Sequence, residues 1–152
     1  MNPDKISQRV ISDRFEYINR MLMEIRLLPL ESYETFMADN RNIWSAESCL
    51  RRSIEALMDL GRHILAKGFG RGVSEYKEIA TLLNEFEVLN VQEHDRMKIL
   101  AGYRNRMVHY YHEISDKELF EICTKQLSDI EYVSGALKAW INNNPDRIEK
   151  TL

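Results

Sequence analysis

Apolar residues at helical spacing run along almost the whole chain, and this period constrains the fold more than any other feature. The clearest stripe is Leu50, Ile54, Leu57, Gly61 and Ile64, at intervals of three and four residues. No stretch alternates apolar and polar residues between turn signals, as a half-buried strand does. The period therefore predicts an all-α protein without a sheet.

Helix start and stop signals divide this pattern into four long or medium helices and one short one. Asn2 and Pro3 form a helix start, Leu28–Pro29 a stop, and Asp39–Asn42 a break before the second long helix. Ser115 and Glu118 form a capping box at the start of the last helix. The first predicted helix runs from Asn2 to Leu28, with Ile6, Val10, Tyr17, Met21, Ile25 and Leu28 buried. The other predicted helices are Ile43 to Lys67 (ended by Gly68), about Ile79 to Phe86, Gln92 to Tyr111, and Ser115 to Ile141. Between the first two helices, Ser32 is placed to cap a single turn through Tyr33 and Phe36.

Length and composition fit one domain. The chain has 152 residues, which predicts a single helical domain over 1–145 followed by a C-terminal tail over 146–152. The connections are short, which favours an up-and-down bundle of four to five helices. No apolar run is long enough to span a membrane, and the two cysteines show no C-x-x-C spacing, so a cytoplasmic protein with reduced thiols is expected. The net charge of −3 gives no general attraction to nucleic acid.

Two polar features have ordinary structural explanations. The glycine-rich loop at 68–72 lacks the pattern of a phosphate-binding loop and is better explained as a helix end with a turn. The second long helix carries Glu47, Arg51, Glu55, Asp59 and His63 at every fourth position, which is typical of a solvated salt-bridge face. In the alternative interpretation, Glu55 points into a groove between helices. Asp59 and His63 have the spacing of metal ligands, but two ligands without a third predict no metal site, and no cofactor is expected.

The segment from Tyr103 to His112 concentrates the reactive side chains. Such residues near a helix end also suit the macrodipole, which is the structural alternative. Asn105 and His109 share a helical face, whereas Arg104 and His109 are separated by roughly 140° on a regular helix. Arg104 and His109 act on one substrate only if the helix loosens or a second chain completes the site. A histidine beside a fixed guanidinium is suited to phosphodiester cleavage, because one moves protons and the other binds phosphate.

At these residues the sequence resembles the HepT-like toxins of the HEPN ribonuclease superfamily. Arg104-x4-His109-x-Tyr111 matches their R-x4-H-x-Y signature, with Asn105 after the arginine. The stretch from Ile54 through Glu55 and Asp59 to Ile64 resembles their long second helix.

The resemblance implies a HEPN-like helical bundle that forms a homodimer and cuts RNA without a metal, using the RNA's own 2′-hydroxyl as nucleophile. Arg104 and His109 are then the catalytic residues, and Asn105, Glu55 and Asp59 support them. Such toxins are paired with a small nucleotidyltransferase antitoxin, which in some systems transfers AMP to the motif tyrosine, here Tyr111. An AMP group adds negative charge where RNA phosphate must bind.

Two other functions fit the same residues. One is a HEPN-like module that binds a nucleotidyltransferase partner or a nucleotide and cuts nothing. The other is a purely structural helical protein, for which Arg104 and His109 would face solvent apart from each other.

Overall fold

The computed structural model describes residues 5–109 and 113–149, and within these ranges the chain is a helical bundle. Seven α-helices and two very short strands make up the described residues, so the prediction of an all-α fold is confirmed. The elements are β1 (Ile6–Ser7), α1 (Gln8–Arg26), α2 (Tyr33–Met37), α3 (Asn40–Phe69), α4 (Tyr76–Glu85), α5 (Val91–His109), α6 (Asp116–Lys125), α7 (Leu127–Asn143) and, after one 3-10 turn (Pro145–Arg147), β2 (Ile148–Glu149).

The long helix α3 is the centre of the bundle. It packs against each of the other six helices described. Its predicted stripe is confirmed, since Leu50, Ile54, Leu57 and Ile64 have no exposed surface. A Cβ atom on Gly61 would lie only 2.9 Å from Cγ2 of Ile79, so the glycine lets α4 approach α3 closely.

The first helix begins later than its sequence signals predict. Helix α1 starts at Gln8, where the Ser7 hydroxyl accepts a hydrogen bond from the Val10 amide. The predicted start at Asn2–Pro3 is wrong, because Ile6 and Ser7 are extended and pair with another strand. The predicted buried face of α1 is also partly wrong, since the buried residues of this helix are Ile11, Ile18, Leu22 and Ile25.

Helix α3 is longer than predicted at both ends. The predicted break at Asp39–Asn42 is the helix start, with the Asp39 carboxylate capping the Arg41 amide. At the other end the helix runs past Gly68 to Phe69, and Gly70 ends it in the left-handed conformation at φ 64°. Gly68 serves packing instead, since a Cβ there would lie 3.0 Å from Cδ1 of Ile6.

The predicted last helix is divided into two. Ser115 caps α6 as predicted, its hydroxyl accepting from the Glu118 amide. Gln126 then leaves the helical conformation with φ −122°, so α6 ends at Lys125 and α7 begins at Leu127. The short α2 is also confirmed, with the Ser32 hydroxyl accepting from the Thr35 amide.

A two-residue parallel strand pair joins the beginning and end of the described chain. Ile6 pairs with Ile148 and Ser7 with Glu149, so the prediction of no sheet is wrong here. Strands this short cannot show alternation in a sequence. Arg147 also donates to the Gly68 carbonyl, which attaches this end of the chain to α3. The division into a domain over 1–145 and a tail over 146–152 stays a prediction.

Among the residues described, none of the helices is both long enough and apolar enough to span a bilayer. Cys49 and Cys123 are both free thiols. Cys49 is half-buried, while burial raises the pKa of Cys123 to about 12.

Candidate active site

The end of α5 and the start of α4 enclose a cleft of about 570 Å³, which we call the motif cleft. Arg104, Asn105 and His109 all line it, so the structure brings these three predicted site residues to one place. Helix α5 stays helical through His109. Loosening of the helix before His109, one of the two alternatives that the helical geometry left open, is therefore not observed, and the long Arg104 side chain reaches the shared cleft from an intact helix.

Arg104 is held in place from three directions. Its Nε donates to Oε2 of Glu55 at 3.0 Å, and one terminal nitrogen donates to Oδ1 of Asn105 at 3.4 Å. Its guanidinium carbon lies 4.5 Å from the centre of the Tyr76 ring. The side chain is only 20% exposed. A guanidinium fixed this way offers its remaining N–H groups to an anion without first losing much rotational freedom.

Glu55 connects two arginines on neighbouring helices. While Oε2 accepts from Arg104, Oε1 accepts from Arg51 at 3.0 Å. The residue lies directly beside the buried Ile54, which places its carboxylate between α3 and α5. Glu55 therefore faces the space between these two helices and is bonded to Arg104 there.

His109 differs from the other motif residues in having an exposed side chain. No hydrogen bond of its ring is formed within the part of the chain that the structure describes. The exposed ring lines the motif cleft, where a bound molecule can reach it. An imidazole in this condition is suited to proton transfer.

Asp59 lies near this cleft without lining it. It pairs with Arg62 at 3.4 Å and lines a separate small cleft of about 220 Å³ with Arg14, Tyr17 and Glu55. Burial raises the pKa of its carboxyl, while the charges of Arg62 and Arg14 act in the opposite direction. The charge of Arg104 also lowers the pKa of Asp59, although the ion pair of Asp59 is with Arg62.

His63 has a structural partner. Its Nε2 accepts the Ser7 amide hydrogen at 2.9 Å, so this nitrogen is not free to bind a metal beside Asp59. Burial lowers the pKa of His63, and the charges of Lys67 and Arg14 lower it further. Within residues 5–109 and 113–149, no three His, Cys, Asp or Glu side chains are grouped as metal ligands would be.

Tyr76 and Arg62 are site residues that sequence reasoning missed. The Tyr76 ring lies between two guanidinium groups, with Arg62 5.3 Å and Arg104 4.5 Å from its centre. Burial raises the pKa of the Tyr76 hydroxyl, which therefore stays protonated. No motif marks Tyr76 in the sequence, because only the packing of α4 against α5 brings it to Arg104.

Arg106 has a role different from that of Arg104. It binds both carboxylate oxygens of Glu118, at 2.9 and 2.8 Å, and donates to the Glu113 carbonyl at 2.9 Å. These bonds fasten the end of α5 to the start of α6 across the segment that carries Tyr111. Tyr111 itself lies outside the described residues.

The chain matches the protein family described as "Ribonuclease HepT-like" over residues 18–137. This match spans α2 to α6 completely, the second half of α1 and most of α7, and it includes the residues of the motif cleft.

Individual relatives agree with this match. The chain is 24% identical over 112 residues to "tRNA nuclease HepT" of Aphanizomenon flos-aquae, covering 73% of this chain and 76% of that protein. It is 31% identical over 101 residues to a protein of Archaeoglobus fulgidus, covering 66% of this chain and 70% of the relative. Among solved structures, the tri-AMPylated HEPN toxin of Shewanella oneidensis in complex with MNT antitoxin has the same fold, with a TM-score of 0.77 and 24% identity over 86% of this chain and 97% of that one. With four-fifths of its described fold inside the family match, this chain belongs to the HepT-like ribonuclease family.

Proposed function

We propose that this protein is the toxin of a toxin–antitoxin pair and that it cuts RNA in the motif cleft without a metal. The observation that carries this proposal is the placement of Arg104, Asn105 and His109 around one cleft, with Arg104 held by Glu55 and His109 exposed. Membership in the family and the relative named as a tRNA nuclease support the same activity.

The reaction uses the RNA's own 2′-hydroxyl. Its oxygen attacks the adjacent phosphorus, the bond from phosphorus to the 5′ oxygen breaks, and the products carry a 2′,3′-cyclic phosphate and a 5′-hydroxyl. One group must take the proton of the 2′-hydroxyl, and another must give a proton to the departing 5′ oxygen. His109 performs one of these transfers, and Arg104 binds the phosphate and stabilises the charge that grows on its oxygens.

A homodimer gives this mechanism its second proton-transfer group. One chain supplies one His109, while two copies related by a two-fold axis supply two. Glu55 and Asn105 act as positioning residues through their bonds to Arg104. Asp59 acts through its charge, which interacts with that of Arg104, and through its ion pair with Arg62.

The first test is cleavage of a labelled RNA by the purified protein, with His109→Ala as the comparison. The wild type should produce cyclic-phosphate ends and be unaffected by a chelator, while His109→Ala should cleave about 100- to 10,000-fold more slowly. Cleavage by His109→Ala at the wild-type rate would remove His109 from the catalytic residues, and no cleavage by the wild type would reassign the protein as a non-catalytic module that binds a partner or a nucleotide. Loss of wild-type cleavage in the chelator would contradict metal independence.

We also propose that a nucleotidyltransferase antitoxin controls this cleavage by transferring AMP to Tyr111, in the cytoplasm. A solved structure of similar fold is an AMPylated toxin in complex with its antitoxin, which supports this arrangement. Tyr111→Phe should still cut RNA but resist inactivation by the antitoxin and ATP, while the neighbouring variant Tyr110→Phe should remain sensitive. Inactivation of Tyr111→Phe as fast as the wild type, with AMP attached elsewhere, would refute the assignment of Tyr111.

A further inference from the structure

Arg104 lines a second cleft in addition to the motif cleft. This second cleft has a volume of about 670 Å³, and Trp44, Glu47 and Arg51 of α3 form part of its wall. Arg104 and Arg106 line both clefts, so a molecule bound to Arg104 in the motif cleft has this second space beside it. We call the second space the Trp44 cleft.

The two clefts differ in charge. Among the residues that the structure describes, the motif cleft is lined by four cationic side chains (Arg62, Lys77, Arg104 and Arg106) and by one carboxylate, that of Glu75. The Trp44 cleft is lined by three cations and three carboxylates, the latter from Glu47, Glu55 and Asp116. Coulombic attraction therefore favours phosphate in the motif cleft, whereas a neutral group is better suited to the Trp44 cleft.

Trp44 is exposed to an unusual degree for its size. Its side chain is 64% accessible, although its ring is among the largest apolar groups in the chain. The other large apolar residues that are more than half exposed, Met23, Leu27 and Val91, do not line this cleft. Because every nucleobase has an aromatic face, an exposed indole ring is the usual platform on which single-stranded RNA stacks.

The carboxylates of this cleft also suit a base. Both oxygens of Glu55 are occupied by arginines. Glu47 is only loosely engaged, 3.9 Å from Arg51 with its side chain 47% exposed. A carboxylate of this kind repels phosphate and accepts hydrogen bonds from the N–H groups on the edge of a base.

We propose that the Trp44 cleft binds the nucleobase next to the phosphate that Arg104 holds, with the base stacked on Trp44. This inference rests on the proposed RNA cleavage, since it takes the position of the phosphate from it. The nucleotide then spans Arg104, its phosphate in the motif cleft and its base in the neutral cleft beside it. Trp44 thereby positions the strand, with one stacked base next to the phosphate that is cut.

The test measures RNA binding in a His109→Ala background, in which the RNA stays intact. Intrinsic tryptophan fluorescence should fall on addition of a short single-stranded RNA. Trp44→Phe should abolish this change, because the second tryptophan, Trp140, packs against Phe69 away from the cleft. Trp44→Phe should nevertheless bind RNA nearly as well as the parent protein, since it keeps an aromatic ring.

Removal of the ring should weaken binding by a predictable factor. Stacking of one base contributes about 1–3 kcal/mol, so Trp44→Leu should raise the Kd for RNA roughly 5- to 150-fold. An RNA that lacks the one base next to the cut phosphate should bind the parent protein more weakly by a similar factor. For this RNA, Trp44→Leu should not raise the Kd any further. Leu27→Ala serves as the control, because Leu27 is as exposed but does not line the cleft.

The results separate this inference from the proposed function. Normal cleavage by the wild type together with unchanged RNA binding by Trp44→Leu would overturn the base site and leave the ribonuclease intact. Fluorescence quenching at Trp44 in a protein that cuts no RNA would overturn the ribonuclease activity and leave the base site intact. A Trp44→Leu protein that becomes monomeric in sedimentation while binding RNA normally would show that Trp44 contacts a second copy, and would also overturn the base site.

Discussion

Two regions of the bundle each contain a histidine and an arginine, but these residues have different purposes in the two regions. In the motif cleft, His109 is exposed and Arg104 keeps part of its guanidinium directed at open space. At the terminal seam, by which we mean Ile6, Ser7, His63, Gly68 and Arg147, the polar groups are bonded to the protein itself. His63 accepts the Ser7 amide hydrogen, and Arg147 donates to the Gly68 carbonyl while lying 4.4 Å over the Phe69 ring.

The difference teaches that partners, rather than residue type, distinguish a functional histidine from a structural one. A side chain whose hydrogen bonds are completed within the protein contributes to stability, because its loss leaves the partner unpaired. A side chain that is held in position but left partly unbonded contributes little to stability and can bind a substrate. Matched substitutions in the two regions should therefore have opposite effects on stability and activity.

Between the arginines of the two regions, the largest expected effect is that of Arg104→Ala on RNA cleavage. The rate should fall about 100- to 1,000-fold, because the group that stabilises the charge on the phosphate is lost. Arg104→Lys should restore little of it, since an ammonium cannot reproduce the planar two-pronged contact. Arg147→Ala, the equivalent change at the terminal seam, should leave the rate unchanged. Initial rates of the three variants on one RNA measure this, and equal loss from Arg104→Ala and Arg147→Ala would remove the distinction between the regions.

Arg104→Ala should still fold, which keeps this comparison interpretable. Removal of Arg104 leaves Glu55 paired with Arg51 at 3.0 Å, so no carboxylate is left without a cation. The melting temperature of the variant should therefore remain close to that of the wild type.

The next largest effect is on stability, for which His63 rather than His109 is expected to matter. His63→Ala should lower the free energy of unfolding by about 1–3 kcal/mol, since the partly buried Ser7 amide loses its acceptor. His109→Ala should change it by no more than about 0.5 kcal/mol, as an exposed residue without a bonded partner does. Chemical denaturation of both variants provides the measurement. Greater destabilisation by His109→Ala than by His63→Ala would return His109 to a structural role.

The smallest expected effect is the pH dependence of stability through His63. Its pKa is lowered in the folded protein, by burial first, so the unfolded chain takes up a proton more readily. The stability that neutral His63 contributes is present above its unfolded pKa of about 6.5 and is lost as the pH falls below that value. His63→Gln, whose amide oxygen can still accept the Ser7 hydrogen, should weaken this dependence between pH 7 and pH 5. An unchanged pH profile in His63→Gln would show that other groups are responsible.

The buried residues of the fold could be predicted because apolar residues repeat at the helical period on the face of a helix that is buried. Leu50, Ile54, Leu57 and Ile64 share one face of α3 at a spacing that no strand would have. The ends of the elements could not be predicted in the same way. Ser7 caps α1 locally, but Ile6 and Ser7 also pair with Ile148 and Glu149, and the Ser7 amide donates to His63. Such distant partners leave no local signal.

The same distinction, between local sequence signals and distant contacts, applies to the residues of the candidate site. Arg104, Asn105 and His109 lie within six residues of one another, so a motif can reveal them, and Glu55 follows from its place beside a buried stripe. Tyr76 and Trp44 reach Arg104 or its clefts only through the packing of α4 and α3. Their chemistry is generic, and only their position in space gives them a role.

The strand pair at the terminal seam also imposes an order on folding during synthesis. The ribosome makes Ile6 before all seven helices and its partner Ile148 after them. The helices from α1 to α7 can begin to pack as they emerge, whereas this pair has to wait until α7 has been made. The closing of the seam is therefore a late event, and a nascent chain truncated before Ile148 lacks the contact that completes the bundle.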